Sequence, residues 1–458
     1  LAATPASVLI DVFVEWLMTL RGHFGLILEY KNKIFAATDR TASYQIFYTK
    51  VSKTILVGNE AQSLVDEARL TEIDAAAILS LSMAGYVTGK RTVLKNLFAI
   101  QPGVALVFEQ SKIKKISYHK YVPIQLSHVH NEAYLLEQLS EITLNELERI
   151  KKKANGRQIV VPLSAGLDSR LILSGLKYLN TPNLVSFSYG QHKNFEAETA
   201  RQVSNRLSVN WQFVPMSISS QRDFFSSSLH SDYIHFSHDF IATPFEQDLY
   251  PVSKLLTTGF IEPSALIING NSGDFISGGH IPDEVIGQGL LEDKFLTVLI
   301  ESFIKKHFTL WEHKFLQEDE RVIYKLLLDE LQEEDLLDSG SSMAYTLWER
   351  LEFLNRQSKF VISGQRVYDF LDIDWALPLW SDAYLDFWSG VPPHLKAGQS
   401  LYRNMLLTKN WCGVWDNIPT NNKTISPLWI RPLRFLAKGF CSPFGRKNWY
   451  KFEKRFFN

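Results

Sequence analysis

Two short stretches carry residue types from which chemistry can be built. The first, Leu163-Ser164-Ala165-Gly166-Leu167-Asp168-Ser169-Arg170, lies between an apolar run (159–163) and a segment of helical spacing (169–178). A turn of small residues entering a helix offers backbone N–H groups and two hydroxyls, from Ser164 and Ser169, to an anion such as phosphate or pyrophosphate. Asp168 would repel that anion unless a Mg²⁺ lay between carboxylate and phosphate oxygens, the hard donors this ion takes. The same residues also suit an ordinary Asp/Ser N-cap, and the pattern alone leaves both readings open. No GxxxxGK[ST] and no GxGxxG occurs here, so neither a Walker loop nor a dinucleotide fingerprint is present.

The second stretch, Asn269-Gly270-Asn271-Ser272-Gly273-Asp274-Phe275-Ile276-Ser277-Gly278-Gly279-His280, follows another apolar run (265–268). Such composition most often marks a plain loop. Its interest is Asp274, a second carboxylate in a turn well downstream of Asp168, because two carboxylates from different loops can share one ion.

The elements that must position these residues change character along the chain. Residues 1–125 read as strand-rich, with short β-branched or aromatic runs at 25–30, 33–38, 45–49 and 54–57. Helices are expected at 8–20 and 74–83, and a hairpin at 105–118. A helical stripe through Leu135, Leu139, Ile142 and Leu147 marks the boundary to a second domain, 126–428. There the pattern alternates: strand 159–163, helix 169–178, strand 184–189, helix 196–207, strand 210–215. That alternation predicts a doubly wound parallel sheet with ligands at the carboxyl ends of its strands, and from about residue 291 the chain reads as mainly helical. The expected fold class is α/β, with an antiparallel α+β domain first and a basic, aromatic tail at 429–458.

Composition bounds the function. The chain has 458 residues, with 48 Lys plus Arg against 49 Asp plus Glu, and this balance argues against a nucleic-acid binder that relies on overall charge. No apolar run approaches the ~18 residues that span a bilayer. Two cysteines, Cys412 and Cys441, build no disulfide framework, CxxC pair or thiolate zinc cluster, so a reducing, cytoplasmic setting is expected. The opening Leu1-Ala2-Ala3-Thr4 has no signal-peptide pattern.

The first stretch resembles the SGGxDS pyrophosphate loop of the N-type ATP pyrophosphatases, with Ala165 in place of the first glycine. Further segments, in order along nearly the whole chain, resemble the asparagine synthetase superfamily. Ser186-Phe-Ser188-Tyr189-Gly190 is similar to the strand whose backbone holds adenine, and Glu196-Ala-Glu-Thr-Ala200 to the helix after it. The Asn269–His280 stretch is similar to SGEGxDExxGGY, with Asp274 kept, Asn271 and Phe275 replacing acidic residues and His280 a tyrosine. Leu377-Pro-Leu-Trp-Ser-Asp382 resembles RxPFLD, Gln399-Ser-Leu-Tyr-Arg403 resembles KxxLR, and the stretch from Ile418 through Lys423 resembles lPxxxRxK.

This resemblance implies that ATP is cut between its α and β phosphates to adenylate a carboxylate. It implies that Leu163, Ser164, Ala165, Gly166, Leu167, Asp168 and Ser169, with Ser188, Tyr189, Gly190 and Gly270, Asn271, Ser272, Gly273, hold ATP and pyrophosphate. Asp168 and Asp274 would hold Mg²⁺, Asp274 and Lys423 would be catalytic, and Arg356, Arg366, Asp382 and Arg403 would meet the acid. Arg356 and Arg366 suit a carboxylate or diphosphate, and the tryptophans between Trp375 and Trp388 suit a sugar ring. The segment from Asn355 to Tyr368 and the Gly-Asn-Ser-Gly-Asp-Phe loop resemble the asparagine-synthetase-like enzymes of bacterial O-antigen and capsule pathways, which implies a uronic acid sugar as acid in preference to aspartate.

The first domain resembles the second half of a class II glutamine amidotransferase, through Leu20-Arg-Gly-His-Phe24, Thr38-Asp39-Arg40 and Val57-Gly-Asn-Glu60. That family's nucleophile is an amino-terminal cysteine, and no cysteine precedes Cys412. Either residues precede Leu1, leaving the strands at 24–57 with an uncovered face here, or the domain is a degenerate remnant, as in β-lactam synthetases and lasso cyclases. Ammonia or glutamine is accordingly the expected partner of the amide ligase, the substrate's own amine that of a lactam synthetase, and a scaffold without activity is the third reading. A homodimer is also expected. The tail, with eight Lys/Arg against Glu453 alone and Phe435, Phe440, Phe444, Trp449 and Phe452 interleaved, suits contact with anionic lipid at the inner face of a membrane and equally docking on the protein's own acidic surface.

Overall fold

The structure is a computed structural model that describes residues 6–123, 131–286, 293–310, 317–334, 336, 344–420, 430–441 and 449. In the first domain, β1 (Gly25–Tyr30), β2 (Lys33–Thr38), β6 (Val104–Glu109) and β7 (Lys112–Ser117) form one antiparallel sheet in the order β1-β2-β6-β7. A second antiparallel sheet has the order β4-β3-β5, from β3 (Phe47–Val51), β4 (Thr54–Gly58) and β5 (Leu97–Ala99).

Side chains alternate across β2 and β6, so each strand feeds two cores. Phe35, Ala37, Ala105 and Val107 meet Leu9, Phe13 and Leu17, spaced four apart on the helix Ala6–Thr19. Ala36, Val104, Leu106 and Phe108 point the other way, toward Ile46 and Ile100, with Tyr48, Ile55 and Val57 of the second sheet packed on them. β2 is therefore covered on both faces, contrary to the expectation of a bare one. Exposure falls on the two edge strands, β1 and β7, where Ile27, Leu28 and Ile113 are open to solvent.

The helix Glu132–Ala154, capped by Asn131, leads into the second region. Its sheet is wholly parallel, in the order β10-β9-β8-β11-β12, from β8 (Ile159–Pro162), β9 (Leu184–Gly190), β10 (Asn210–Pro215), β11 (Leu266–Ile268) and β12 (Asp374–Ala376). The expected α/β class and doubly wound sheet are present. The short β12, hidden in an aromatic run, is the strand that the helical reading of the later chain passes over. Because β8 and β11 are neighbours though far apart in sequence, the loops leaving their carboxyl ends emerge side by side, where the strand order reverses and ligands bind in such sheets. The two regions share a core in which Phe47, Tyr86 and Leu97 pack with Ile241, Phe303 and Trp348. No described helix is long and apolar enough to cross a membrane.

Candidate active site

The loops after β8 and β11 line one cavity of about 490 Å³. Leu163, Ser164, Gly166, Leu167, Asp168 and Ser169 come from the first loop, Ser188 and Tyr189 from β9, and Gly270, Asn271, Ser272 and Asp274 from the second loop. The first loop is braced internally: Ser169 Oγ accepts from the Ser164 N–H at 3.0 Å, and Ser164 Oγ accepts from the Gly166 N–H at 3.1 Å. The helix Asp168–Tyr178 then opens with N–H groups that have no partner within the helix. Ala165, Gly190 and Gly273, expected at the nucleotide, are not among the residues that line the cavity. A Cβ at Gly273 would lie 2.6 Å from the Asp168 carboxyl, and one at Gly270 would lie 2.8 Å from Asp168 Cβ, so only glycine lets the second loop close on Asp168.

The two carboxylates meet, but in different electrostatic settings. Asp168 Oδ2 accepts from the Asp274 N–H at 3.0 Å and Oδ1 from the Tyr402 hydroxyl at 2.8 Å. Burial, followed by the charge of Asp274, lifts the Asp168 carboxyl to about 7. Asp274 Oδ2 faces His280 Nε2 at 3.0 Å, and although burial works against its charge, His280 holds this carboxyl below the ordinary range. His280 is itself buried, yet Asp274 on one nitrogen and Glu352 on the other raise it to about 9. Asp274 thus has a cation in the protein, and among the described residues Asp168 has none in contact.

That shortfall suits a hard divalent ion between Asp168 and bound phosphates. Among the described residues no group of three or more His, Cys, Asp or Glu forms a metal site. Such an ion would therefore complete its shell with phosphate oxygens and water, as Mg²⁺ does in nucleotide sites.

The opposite wall comes from a stretch of wide, π-type helical turns, Phe353–Val361, a geometry that is rare and concentrated at functional sites. It brings Arg356 and Gln357 to the cavity, and Gln365 follows from the next turn. Gln357 and Gln365 are 1% and 2% exposed, and among the described residues Gln357 Oε1 and Gln365 Nε2 have no hydrogen-bond partner. One is an acceptor and one a donor, the pair of functions a hydroxyl needs.

The remaining expected residues lie elsewhere. Arg366 packs its guanidinium over Phe236 at 4.5 Å and faces Asp369 at 3.9 Å. Asp382 joins the two regions, with Arg40 Nε at 3.4 Å and the Gly22 N–H at 3.3 Å. Arg403 donates to the Gly398 carbonyl at 3.2 Å, and none of the three lines the cavity. Lys423 lies outside the described residues. The segment leading toward it is tied under the first loop, since buried Arg170 donates to the carbonyls of Ile418 at 2.8 Å, Pro419 at 3.0 Å and Ala165 at 3.3 Å.

Sequence reasoning passes over Tyr402, Glu352 and Asp248. Tyr402 sits beside Arg403 in the motif that resembles KxxLR, and it is the tyrosine that reaches the site. Asp248 lines the cavity with its carboxyl held by the Tyr189 and Tyr368 hydroxyls, and burial raises its pKa.

Comparison with known proteins bears on both regions. Residues 3–122 match the family model of a glutamine amidotransferase domain, and residues 158–249 match that of the queuosine biosynthesis protein QueC. No curated protein matches the chain. Among solved structures, glutamine-dependent NAD+ synthetase from Acinetobacter baumannii in complex with ADP is similar over 72% of this chain and 83% of that one. Its identity is 9% and its TM-score 0.22, too remote to carry an inference. The two family matches, in this order on one chain, support an amidotransferase-type domain followed by an ATP-pyrophosphatase-type domain, the architecture of the amidotransferase/PP-loop synthetase superfamily.

Proposed function

We propose that the protein is an ATP-dependent amide ligase that forms AMP and pyrophosphate. The observation that carries this reading is the meeting of Asp168 and Asp274 beside a helix N-terminus at the carboxyl edge of β8 and β11. In this reading the adenine lies along the backbone of Ser188–Gly190 and the pyrophosphate on residues 163–169. Mg²⁺, when bound, neutralises phosphate charge beside Asp168 and Asp274.

The substrate carboxylate attacks the α-phosphorus. An O–P bond forms, the bond between the α-phosphorus and the bridging oxygen breaks, and pyrophosphate leaves. Ammonia then attacks the acyl carbon, a C–N bond forms, the bond to AMP breaks, and the proton released from nitrogen passes to solvent. Lys423 provides fixed positive charge where negative charge develops. The nitrogen comes as ammonia, supplied free or released from glutamine by the amidotransferase-type first domain.

Arg356 faces the carboxylate, and the unmatched amide atoms of Gln357 and Gln365 suit hydroxyls. A uronic acid sugar of a surface polysaccharide is therefore the preferred acid, ahead of free aspartate. The test is incubation with ATP, Mg²⁺, ammonium and a panel of uronic acid sugar nucleotides and amino acids, read by mass spectrometry. The expected result is AMP, pyrophosphate and one amide in equal amounts. Formation of ADP and phosphate instead, or no acid-dependent turnover of ATP, contradicts the reading.

A further inference from the structure

The helix Ile430–Cys441 has no acidic residue, and most of its apolar positions share one side, with Phe435, 77% exposed, standing apart from them. At about 100° per residue, the positions of Ile430, Leu433, Leu436, Ala437 and Phe440 fall in one arc and those of Arg431, Arg434 and Lys438 in the arc beside it. In a helix of a globular domain the apolar arc faces the core. Here Leu433, Leu436 and Phe440 are 52%, 69% and 82% exposed.

The Arg434 guanidinium lies over the Trp449 ring at 5.5 Å, and Trp449 is buried. Charge is segregated in the same way: residues 429–458 hold eight Lys/Arg against one Glu, a net +7, in a chain of net −1. Docking of this segment on the protein's own acidic surface would use the basic arc and leave the apolar one in water. An anionic bilayer satisfies both arcs at once, with headgroup phosphates for the cations and the acyl boundary for the apolar face.

We propose that Ile430–Cys441 lies flat on an anionic membrane surface, inserting Leu433, Leu436 and Phe440 and setting Lys438 among the headgroups. This anchor would hold the catalytic region beside acceptors carried at that surface. The proposal does not depend on the chemistry assigned above.

The test is co-sedimentation of the full chain with vesicles of phosphatidylcholine containing phosphatidylglycerol, or of phosphatidylcholine alone. Binding is expected only to the anionic vesicles, weaker as salt is raised, and reduced on the order of a hundredfold in Leu436→Glu/Phe440→Glu, which removes two inserted side chains. These residues line no part of the cavity, so ATP turnover without vesicles should be unchanged in the variant. Undiminished vesicle binding by the double variant overturns the proposal. So does failure of the unaltered protein to bind, whether amide hydrogen exchange shows the helix already protected by its own chain or light scattering shows a dimer that the variant dissolves.

Discussion

The backbone N–H of Asp274 donates to Oδ2 of Asp168 at 3.0 Å. This bond joins loops that leave two adjacent strands, and it fixes one carboxylate against the peptide that carries the other. Among the described residues Asp168 is the member of the pair without a contacting cation, while Asp274 has His280.

The closure depends on two glycines. In Gly273→Ala the new Cβ would lie 2.6 Å from the Asp168 carboxyl and 2.7 Å from Leu379 Cδ1, so the loop must move. Overpacking of this kind costs about 1–3 kcal/mol. The expected outcome is a melting temperature lowered by several degrees together with loss of nucleotide binding, read by thermal unfolding and titration with ATP. Unchanged ATP affinity would show that the loop contact is dispensable.

The pH dependence of stability follows from Asp168. Its carboxyl titrates near 7 in the metal-free fold, above its ordinary value of 3.8. Between those values the folded protein binds more protons than the unfolded chain, so this group's stabilisation is full below about 4 and is lost as pH rises through 7. Asp168→Asn is isosteric; its carbonyl can accept from the Asp274 N–H, and the Tyr402 hydroxyl can turn to accept from its amide. Without metal, the variant should melt at the same temperature as the parent at pH 4 and higher than it at pH 8. An equal offset at both values would contradict this assignment of the titrating group.

Arg170 is nearly fully buried and supplies four hydrogen bonds to backbone carbonyls, those of Val414, Ile418, Pro419 and Ala165. Arg170→Met leaves these carbonyls unmatched, at about 1–3 kcal/mol for each that stays dry. The segment that leads to Lys423 should then detach. Turnover is expected to fall at least tenfold while ATP affinity, measured separately by titration, changes much less. A variant with normal turnover would remove the proposed link between this segment and catalysis.

Asp382 provides a contrast, because its motif suggests substrate contact while its neighbours are Arg40 and Gly22 of the first domain. Asp382→Asn should lower stability by about 1–2 kcal/mol through loss of a partly buried charged pair, with KM for the acid unchanged. A raised KM at unaltered melting temperature would favour the substrate role.

Much of this arrangement is legible in the residues. The apolar run at 159–163 is β8, because a strand buried on both faces leaves few alternatives to continuous Val and Ile, and the runs at 184–189 and 210–215 are β9 and the edge strand β10. The small-residue turn at 163–169 and the Gly-rich loop with Asp274 stand out because each needs backbone that bulky side chains forbid. What the sequence hides depends on distance through space. Tyr402 reaches Asp168 across 234 residues, and no local pattern marks it. The π-type turn at Phe353–Val361 has the composition of an ordinary amphipathic helix, so the aim of Gln357 and Arg356 into the cavity has no sequence signature. Arg366 and Asp382 show the converse: charge in a suggestive motif, committed in the fold to Asp369 and Arg40.

The central claim, adenylation of a carboxylate at the Asp168–Asp274 pair, is tested most directly by isotope exchange between pyrophosphate and ATP. With Mg²⁺ and the panel of uronic acids and amino acids, the unaltered protein should exchange label only when its acid is present, and Asp168→Ala should fall to background while remaining folded. Exchange that needs no acid, or that survives in Asp168→Ala, would contradict the account.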